Sequence, residues 1–354
     1  MIGLVMMFLA CDSEEEISAP VNLIVFIESD NSIDGLISVT ATADHSNFYT
    51  FNFGNREVKD NDGVINHLYT EEGTYSIIVK AHSTQGKFSE EVVSYTYAKK
   101  DVVAPTPGGG YTTPLIYPDY NLVWNDEFEG VALSNDWTYD IGNSGWGNNE
   151  WQYYREDNAT LEGGFLTITA KKEKFGGSEY TSSRILTQGR KSFQYGRIDI
   201  RAKLPEGQGI WPAIWMLGSN FSTVGWPFCG EIDIMEMIGG GAGRDNKVYG
   251  TLHWDNNGNY ACTCDASGNY ILPSGNFSDE FHVFSIIWNP TSIVWYVDDQ
   301  LFKTTDISAS SMSEFRNDFF FIFNVAVGGN WPGYPDGSTT FPQTMMVDYV
   351  RVFQ

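Results

Sequence analysis

The feature that most constrains the fold is the lack of helical periodicity over most of the chain. Between residues 117 and 354, short apolar runs with a two-residue alternation are separated by turn residues. Such runs predict β-strands, because successive side chains on a strand point to opposite faces. The clearest runs are 165–170, 196–202, 285–288, 293–297, 319–324 and 346–352. The pattern predicts an all-β fold in which these residues form one large two-sheet sandwich.

A second, smaller set of strand-like runs lies in residues 19–98. The runs 23–27, 36–40 and 74–81 are regularly spaced and punctuated by Gly, Asn and Asp. This spacing predicts a small immunoglobulin-like β-sandwich that precedes the large one. Residues 99–116 contain three prolines and a run of three glycines, so we predict a linker there.

The hexapeptide 231–236, with the sequence Glu-Ile-Asp-Ile-Met-Glu, combines a strand pattern with three carboxylates. Glu231 and Asp233 share one face of the predicted strand. Strict alternation would place Glu236 among the isoleucines, where a charge is costly to bury. One extra residue in a β-bulge would return Glu236 to the row of the other two acids. Three carboxylates in a row repel, so at least one should hold a proton near neutral pH.

A carboxylate beside a protonated carboxylic acid is the pair of groups needed to split a glycosidic bond with retention of configuration. The competing interpretation is a half-exposed strand with a solvated acidic face. The residues around the hexapeptide must decide between the two.

Composition restricts the partners of the chain. The net charge is −24 and the pI is about 4.4. These values argue against nucleic acid and anionic membrane surfaces as partners, since both require basic patches. The 11 tryptophans and 19 tyrosines fit a protein that stacks aromatic rings on neutral sugars, or one with an unusually aromatic core.

Residues 1–18 indicate export. The first ten residues are apolar and too short to span a bilayer, and they resemble the end of a secretory signal. Ala10 before Cys11 resembles a bacterial lipobox, which would make Cys11 a lipid anchor. The acidic run 12–16 resembles the export tag of surface lipoproteins, although a solvated acidic tail gives the same pattern. We expect an exported protein, either a cell-surface or outer-membrane lipoprotein or a secreted one, with no transmembrane span.

Cysteine usage allows at most one disulfide if Cys11 is lipidated. Cys229, Cys262 and Cys264 then remain, and one thiol must stay unpaired. Cys262 and Cys264 lack the spacing of a zinc site, so no zinc is expected.

Several blocks, in order along the chain, resemble glycoside hydrolase family sixteen. They are 145–154, 209–218, 230–236, 251–254 and 326–333. The resemblance implies a β-jelly-roll (concanavalin-like) sandwich as the catalytic domain, over residues 117–354, with sugar bound in a cleft across one curved sheet. It also implies an endo-acting, retaining enzyme. In the small unit, 49–55, 67–69 and 73–75 resemble PKD-type modules, which usually act as spacers.

The family resemblance assigns roles to the three acids. Glu231 matches the nucleophile, Glu236 the acid/base, and Asp233 a residue that tunes the pair. The additional Met235 resembles the laminarinase-like branch, whose members cleave β-1,3-glucan. Alternatives are mixed-linkage β-glucan, a marine galactan as substrate, transglycosylation, or a non-catalytic glucan-binding protein.

Seven further residues match substrate-contacting positions of the family: Asn149, Arg184, Trp211, Trp215, Trp226, His253 and Trp331. Five of them have a structural alternative, whereas Trp226 and Trp331 lie on loops with Gly and Pro, where an exposed tryptophan is harder to explain as core. Trp211 and Trp215 are four apart on a predicted strand and share a face, which could also be a core face. Arg184 could form a surface ion pair, Asn149 could belong to a turn, and His253 could be a satisfied structural residue.

The resemblance also implies one structural Ca²⁺, remote from catalysis. Glu127, Gly164 and Asp348 match the family positions, and oxygen ligands suit this hard cation. No cofactor is expected for catalysis. We expect a monomer whose partner is the β-glucan substrate.

Overall fold

The computed structural model describes residues 18–29, 35–54, 57–60, 62–97, 109–241, 243–264 and 268–354. The chain forms two compact units, Met1–Pro105 and Thr106–Gln354. The predicted signal segment with Cys11 and the first part of the predicted linker lie outside the described residues.

The small unit is a sandwich of two antiparallel sheets. Its strands are β1 (Val21–Ser29), β2 (Leu36–Asp44), β3 (Phe48–Asn52), β4 (Glu57–Asp60), β5 (Val64–Leu68), β6 (Gly73–His82) and β7 (Phe88–Tyr97). One sheet has the order β1-β2-β5 and the other β4-β3-β6-β7. Their inner faces meet in a core that includes Ile37, Val39, Phe51, Ile77 and Val79. The small two-sheet sandwich predicted from the sequence is confirmed.

The large unit contains the remaining strands. They are β8 (Leu122–Asp126), β9 (Thr138–Tyr139), β10 (Gln152–Tyr154), β11 (Ala159–Glu162), β12 (Phe165–Ala170), β13 (Tyr180–Ser182), β14 (Arg184–Leu186), β15 (Gly196–Lys203), β16 (Ile210–Gly218), β17 (Glu231–Glu236), β18 (Lys247–Asp255), β19 (Tyr260–Cys262), β20 (Asn269–Ile271), β21 (His282–Trp288), β22 (Ser292–Val297), β23 (Gln300–Asp306), β24 (Phe319–Val327) and β25 (Gln343–Phe353). One short α-helix, α1 (Phe221–Val224), and two 3₁₀ helices, Glu156–Asn158 and Ser310–Arg316, complete the secondary structure of the described residues.

Two eight-stranded sheets make up the body of this unit. The front sheet has the order β19-β18-β17-β16-β24-β14-β9, with β20 paired to β18. The back sheet has the order β11-β12-β25-β15-β21-β22-β23, with β8 paired to β25. The two-sheet sandwich expected for this region is thus confirmed.

The core lies between the two sheets and is made by their alternating inner side chains. Ile214 and Ile232 from the front sheet and Ile198 and Val350 from the back sheet are all fully buried in it. Trp295 of the back sheet crosses the core and donates a 2.9 Å hydrogen bond to the carbonyl of Asp233. This contact fixes the back of β17, whose other face bears carboxylates.

The second half of the predicted linker packs on the large unit, which corrects the boundary placed at residue 116. Gly110 pairs with Phe281 as an isolated bridge. The carbonyl of Tyr111 accepts a 2.7 Å hydrogen bond from Arg201. The backbone N–H of Thr113 donates to the hydroxyl of Tyr349 over 2.9 Å. The large unit therefore begins well before residue 117.

Cys262 and Cys264 form a disulfide, and Cys229 is a buried free thiol, consistent with one bridge and one odd cysteine. Among the described residues, no helix has the length and apolarity needed to cross a membrane.

Candidate active site

The bulge predicted in β17 is present, and it aligns the three carboxylates. On the neighbouring strand β16, Asp233 pairs with Trp215 and Glu236 with Ala213. Three steps along β17 therefore match two along β16, and β18 shows the same offset. The extra residue lets both Ile234 and Met235 enter the core, while Glu236 keeps the face of Glu231 and Asp233.

All three carboxylates line one cleft of about 890 Å³ in the front sheet. Asp233 is 2% exposed and Glu236 9% exposed, whereas Glu231 is half-buried. A carboxylate oxygen of Glu231, one of Asp233 and a ring nitrogen of His253 all lie within 4.8 Å of one another. These side chains are therefore close enough to interact strongly.

Burial is the main cause that raises the pKa of each carboxyl, to about 8 in each case. The charge of Asp233 raises the pKa of Glu231 and Glu236 further, while His253 acts in the opposite direction on both. Such interacting groups lose their protons one after another rather than together. Near neutral pH the cleft can therefore hold a carboxylate and a carboxylic acid side by side.

Two tryptophans orient polar groups of the cleft. The indole N–H of Trp211 donates to Oε1 of Glu236 over 3.0 Å. The indole N–H of Trp215 donates to Oδ1 of Asn324 over 2.8 Å. Both rings line the cleft, so the shared face predicted from their spacing is the cleft face and not the core.

Aromatic side chains flank the carboxylate row at both ends. At the Glu231 end, Trp226 lies 5.3 Å from the ring of Tyr260 and 6.3 Å from that of His253. At the Glu236 end, Trp331 lies 5.6 Å from Trp211 and 5.0 Å from Tyr249 in edge-to-face contacts. The structure therefore brings predicted Trp226, His253 and Trp331 into the cleft.

Arg184 lies in the cleft and is also ion-paired. Its guanidinium is 2.9 Å from a carboxylate oxygen of Asp140 and packs over the rings of Trp146 and Trp215. Arg184 is thus both a cleft-lining residue, as the family resemblance implies, and a member of an ion pair, as the structural alternative implies.

Asn149 is the one predicted substrate-contacting residue that the structure does not place among the cleft-lining residues. Its backbone has a positive φ of 57°, and its side-chain amide donates to Asn330 over 2.8 Å. It therefore ties its loop to the loop of Trp331. The turn interpretation describes it better.

The neighbouring Glu150 lines the cleft and was not selected from the sequence. It accepts hydrogen bonds from Gln152 over 2.6 Å and from Tyr154 over 3.2 Å. Burial raises its pKa. The available signal was an acidic residue within the family-like block 145–154. The sequence alone could not show which side chain of this loop turns toward the cleft.

Of the three residues predicted to hold calcium, the two acidic ones have carboxylates that are paired with arginines. Both carboxylate oxygens of Glu127 accept hydrogen bonds from Arg351, at 2.8 and 2.7 Å. Asp348 accepts from Arg201 over 2.7 Å. The predicted ligand set is backbone carbonyls plus one carboxylate, and a cation would have to compete with Arg201 for the carboxylate of Asp348. The calcium site stays a prediction that these contacts do not support.

Comparisons with known proteins agree with this geometry. The family model described as "Glycosyl hydrolases family 16" matches residues 146–351. The beta-glucanase of Rhodothermus marinus is 42% identical over 252 residues, which cover 67% of this chain and 86% of that protein. The clotting factor G alpha subunit of Tachypleus tridentatus is 41% identical over 242 residues, but these span only 34% of its length. The laminarinase catalytic domain of Thermotoga maritima MSB8 is 45% identical, with a TM-score of 0.61 over 67% of this chain and 99% of that structure.

Proposed function

This chain belongs to glycosyl hydrolase family 16, and from that membership we propose that it is an endo-acting, retaining β-1,3-glucanase of the laminarinase type. The observation that carries the proposal is the row of three carboxylates, two buried and one half-buried, that lines a cleft with aromatic rings at both ends of the row.

The proposed reaction is a double displacement. Glu236 gives its proton to the glycosidic oxygen while the carboxylate of Glu231 attacks the anomeric carbon, forming a glycosyl ester and releasing the leaving sugar. Water then gives a proton to Glu236 and attacks the same carbon, which frees Glu231. Asp233, between the two, raises the pKa of both through its charge.

The structure also suggests how the acid is oriented. Oε1 of Glu236 is held by the indole N–H of Trp211, which leaves the other carboxyl oxygen to carry the mobile proton. The bulge places the Glu236 side chain on the cleft face. Trp211 therefore serves as a positioning residue for the proposed acid.

Sugar units on both sides of the cleaved bond are the mark of endo action. Glu231 pairs with His253 and Glu236 with Tyr249 along β18, so the aromatic groups near these residues lie at opposite ends of the row. Aromatic faces pack well against the apolar faces of sugar rings. A chain lying along the cleft would thus be bound on both sides of the carboxylates.

A neutral glucan fits this cleft better than a sulfated galactan. Of the described residues that line the cleft, Arg184 is the only arginine or lysine, and Asp140 already neutralises it. Sulfate groups require additional cations. Mixed-linkage β-glucan is also neutral, so it is the second candidate substrate. A substrate panel distinguishes it from β-1,3-glucan.

The accessory assignments are part of the same proposal. We infer export through residues 1–18, with Cys11 as a lipid anchor, and a PKD-like spacer role for the small unit over residues 19–98. We also infer a monomer. The inferences about export, the lipid anchor and the spacer rest on sequence resemblance. Cys11 and the rest of residues 1–17 lie outside the described part of the chain.

A substrate panel tests the proposal. Purified protein is incubated with laminarin, mixed-linkage β-glucan, agar, porphyran and carrageenan, and released oligosaccharides are sized by chromatography. We expect laminarin to give short oligosaccharides from the first minutes, because internal bonds are cut. The matched control is Glu231→Ala, which lacks the nucleophile.

Three results would count against parts of the proposal. Release of a single small sugar from the start would contradict endo action. Release from a galactan alone would overturn the substrate. Binding of laminarin with no product from any polysaccharide would favour a glucan-binding protein.

A further inference from the structure

At the edge of the front sheet, beside the carboxylates, His253 is contacted by a tyrosine to which no role has been given so far. The hydroxyl of Tyr260 on β19 lies 2.7 Å from Nδ1 of His253 on β18. On the other side of the imidazole, Nε2 of His253 lies 3.2 Å from Oδ2 of Asp233 and 3.6 Å from Oε1 of Glu231. Within the described residues, Oδ2 of Asp233 has no hydrogen-bond partner.

From this geometry, in which Nε2 lies near Oδ2 of Asp233 without forming a hydrogen bond to it, we propose that Tyr260 is a positioning residue that keeps a proton on Nε2 of His253, on the side of the ring that faces Asp233 and Glu231. The inference rests on the proposed function, because the two carboxylates matter through the reaction assigned to them.

The argument follows from the hydrogen-bonding capacity of the two rings. Neutral histidine carries one N–H, and its other nitrogen only accepts. With two carboxylates near Nε2, the favoured tautomer has its proton there, and Nδ1 then accepts from the Tyr260 O–H. When His253 is charged, the same hydroxyl accepts from Nδ1–H instead. Tyr260 can thus satisfy Nδ1 in both states without taking the proton from Nε2.

The surroundings hold Tyr260 in this place. Tyr260 pairs with Asp255, and Cys262 pairs with His253, in the β18–β19 register. The disulfide between Cys262 and Cys264 closes this edge. Thr263 between them receives hydrogen bonds from the buried Lys303 at 2.8 and 3.0 Å. A short edge strand is therefore anchored at its end.

The electrostatic consequence reaches the reacting groups. Burial raises the pKa of Tyr260, and the charges of Glu231, Asp233 and Glu236 raise it further, so the hydroxyl stays protonated beside these acids. His253 lowers the pKa of Glu231 and of Glu236. Among the described residues, the ionisable groups that interact with His253 are Glu231, Asp233 and Glu236 from β17 and Tyr260 from β19. A bare Nε2 lone pair facing the two acids would oppose ionisation of Glu231.

The test is Tyr260→Phe, which removes only the hydroxyl from a half-exposed ring. The acid limb of the pH profile of kcat/KM on laminarin should move upward by about half a pH unit, because Glu231 becomes harder to ionise. The activity loss should therefore be about threefold on the acid limb, where His253 is neutral, and should vanish at pH values above the limb. In a His253→Gln background, Tyr260→Phe should add nothing further.

Tyr249→Phe is the matched control: Tyr249 lies on β18 at the other end of the cleft, so loss of its hydroxyl should leave the acid limb in place. A uniform loss at all pH values in Tyr260→Phe would indicate a merely structural role and overturn the proposal.

A readout without activity separates this inference from the proposed function. The ring nitrogens of His253 are observed by ¹⁵N NMR, with assignment among the five histidines from the peak lost in His253→Gln. We expect the Nε2–H tautomer at neutral charge in the wild-type protein, and a shift toward Nδ1–H in Tyr260→Phe. A wild-type Nδ1–H tautomer would refute the proposal even if laminarin is cleaved, and an inactive protein with the expected tautomers would refute only the function.

Discussion

At the residue scale, the proposed reaction needs two carboxyls that differ in protonation although they share one cleft. Their contacts are similar: Trp211 lowers the pKa of Glu236, Trp226 lowers the pKa of Glu231, and His253 lowers both. Burial raises the pKa of both above the ordinary range. A proton can therefore remain on one of them at neutral pH, where a free glutamic acid would be ionised.

The first prediction concerns Glu236→Gln. Glutamine keeps the shape and can still accept from Trp211, but it cannot give a proton. Activity on laminarin should fall by about 10²–10⁴-fold with an unchanged circular dichroism spectrum. Glu129→Gln, on an exposed loop of the same unit, is the control and should keep wild-type turnover. Wild-type turnover by Glu236→Gln would remove the proposed acid.

The second prediction is a pH dependence of stability in the same variant. A carboxyl with a raised folded-state pKa stabilises the folded protein below its unfolded pKa, and this contribution is lost as pH rises toward about 8. Glutamine has no such dependence. The melting temperature of Glu236→Gln relative to wild type should therefore rise between pH 4 and pH 9, by an amount that corresponds to at least about 1 kcal/mol. A constant difference across this range would show that burial does not raise the pKa.

At the scale of elements, contacts from both sheets stabilise the bulge in β17 that aligns the three carboxylates. The register with β16 and β18 shifts by one residue between Asp233 and Glu236, and Trp295 from the back sheet binds the carbonyl of Asp233. Gly250 on β18 allows this approach: a Cβ there would lie 2.5 Å from the Trp295 ring. The absence of a side chain at Gly250 on β18 thus leaves room for the Trp295 ring, which supports the bulge in β17.

The third prediction is that Gly250→Ala destabilises the large unit by about 1–3 kcal/mol, as expected for overpacking in a filled core. It should also lower kcat, because Trp295 can no longer sit under Asp233 unchanged. Denaturant unfolding and laminarin kinetics measure the two effects. Gly337→Ala is the matched control, since a Cβ there meets nothing within 4 Å, and it should be neutral. Equal stability of the two variants would contradict the packing argument.

The bulge could be predicted from sequence because the alternative was physically costly: strict alternation puts the charge of Glu236 in the core. The loops offered no such constraint. Asn149 and Glu150 are adjacent, and no residue pattern showed that Glu150 and not Asn149 lines the cleft. Tyr260 was missed for a related reason, since its contact to His253 depends on the pairing of β18 with a three-residue edge strand.

At the scale of the whole molecule, the sequence correctly indicated two β units but placed the start of the second too late. Residues 109–113 have no apolar alternation, because they bind the large unit mainly through backbone groups. The carbonyl of Thr113 accepts from Arg351 over 3.0 Å, and that of Tyr111 accepts from Arg201. Hydrogen bonds made by the backbone leave little trace in the sequence.

The fourth prediction compares two truncations. Residues 106–354 should fold and cleave soluble laminarin with wild-type kcat/KM. Residues 117–354 lack the backbone carbonyls that Arg201 and Arg351 bind and the contact of Thr113 with Tyr349, and each buried group left unpaired costs about 1–3 kcal/mol. Their melting temperature should therefore be clearly lower. Equal melting temperatures for the two fragments would show that residues 106–116 are only a linker.

The central claim is cleavage of β-1,3-glucan through a covalent intermediate on Glu231, and the stereochemistry of the product tests it most directly. Laminarin hydrolysis is followed by ¹H NMR from the first minute, with Glu231→Ala as control. Retention predicts that new reducing ends appear first as the β anomer and only later equilibrate with the α anomer, and that none appear with the variant. Initial release of the α anomer, or equal release by Glu231→Ala, would contradict the account.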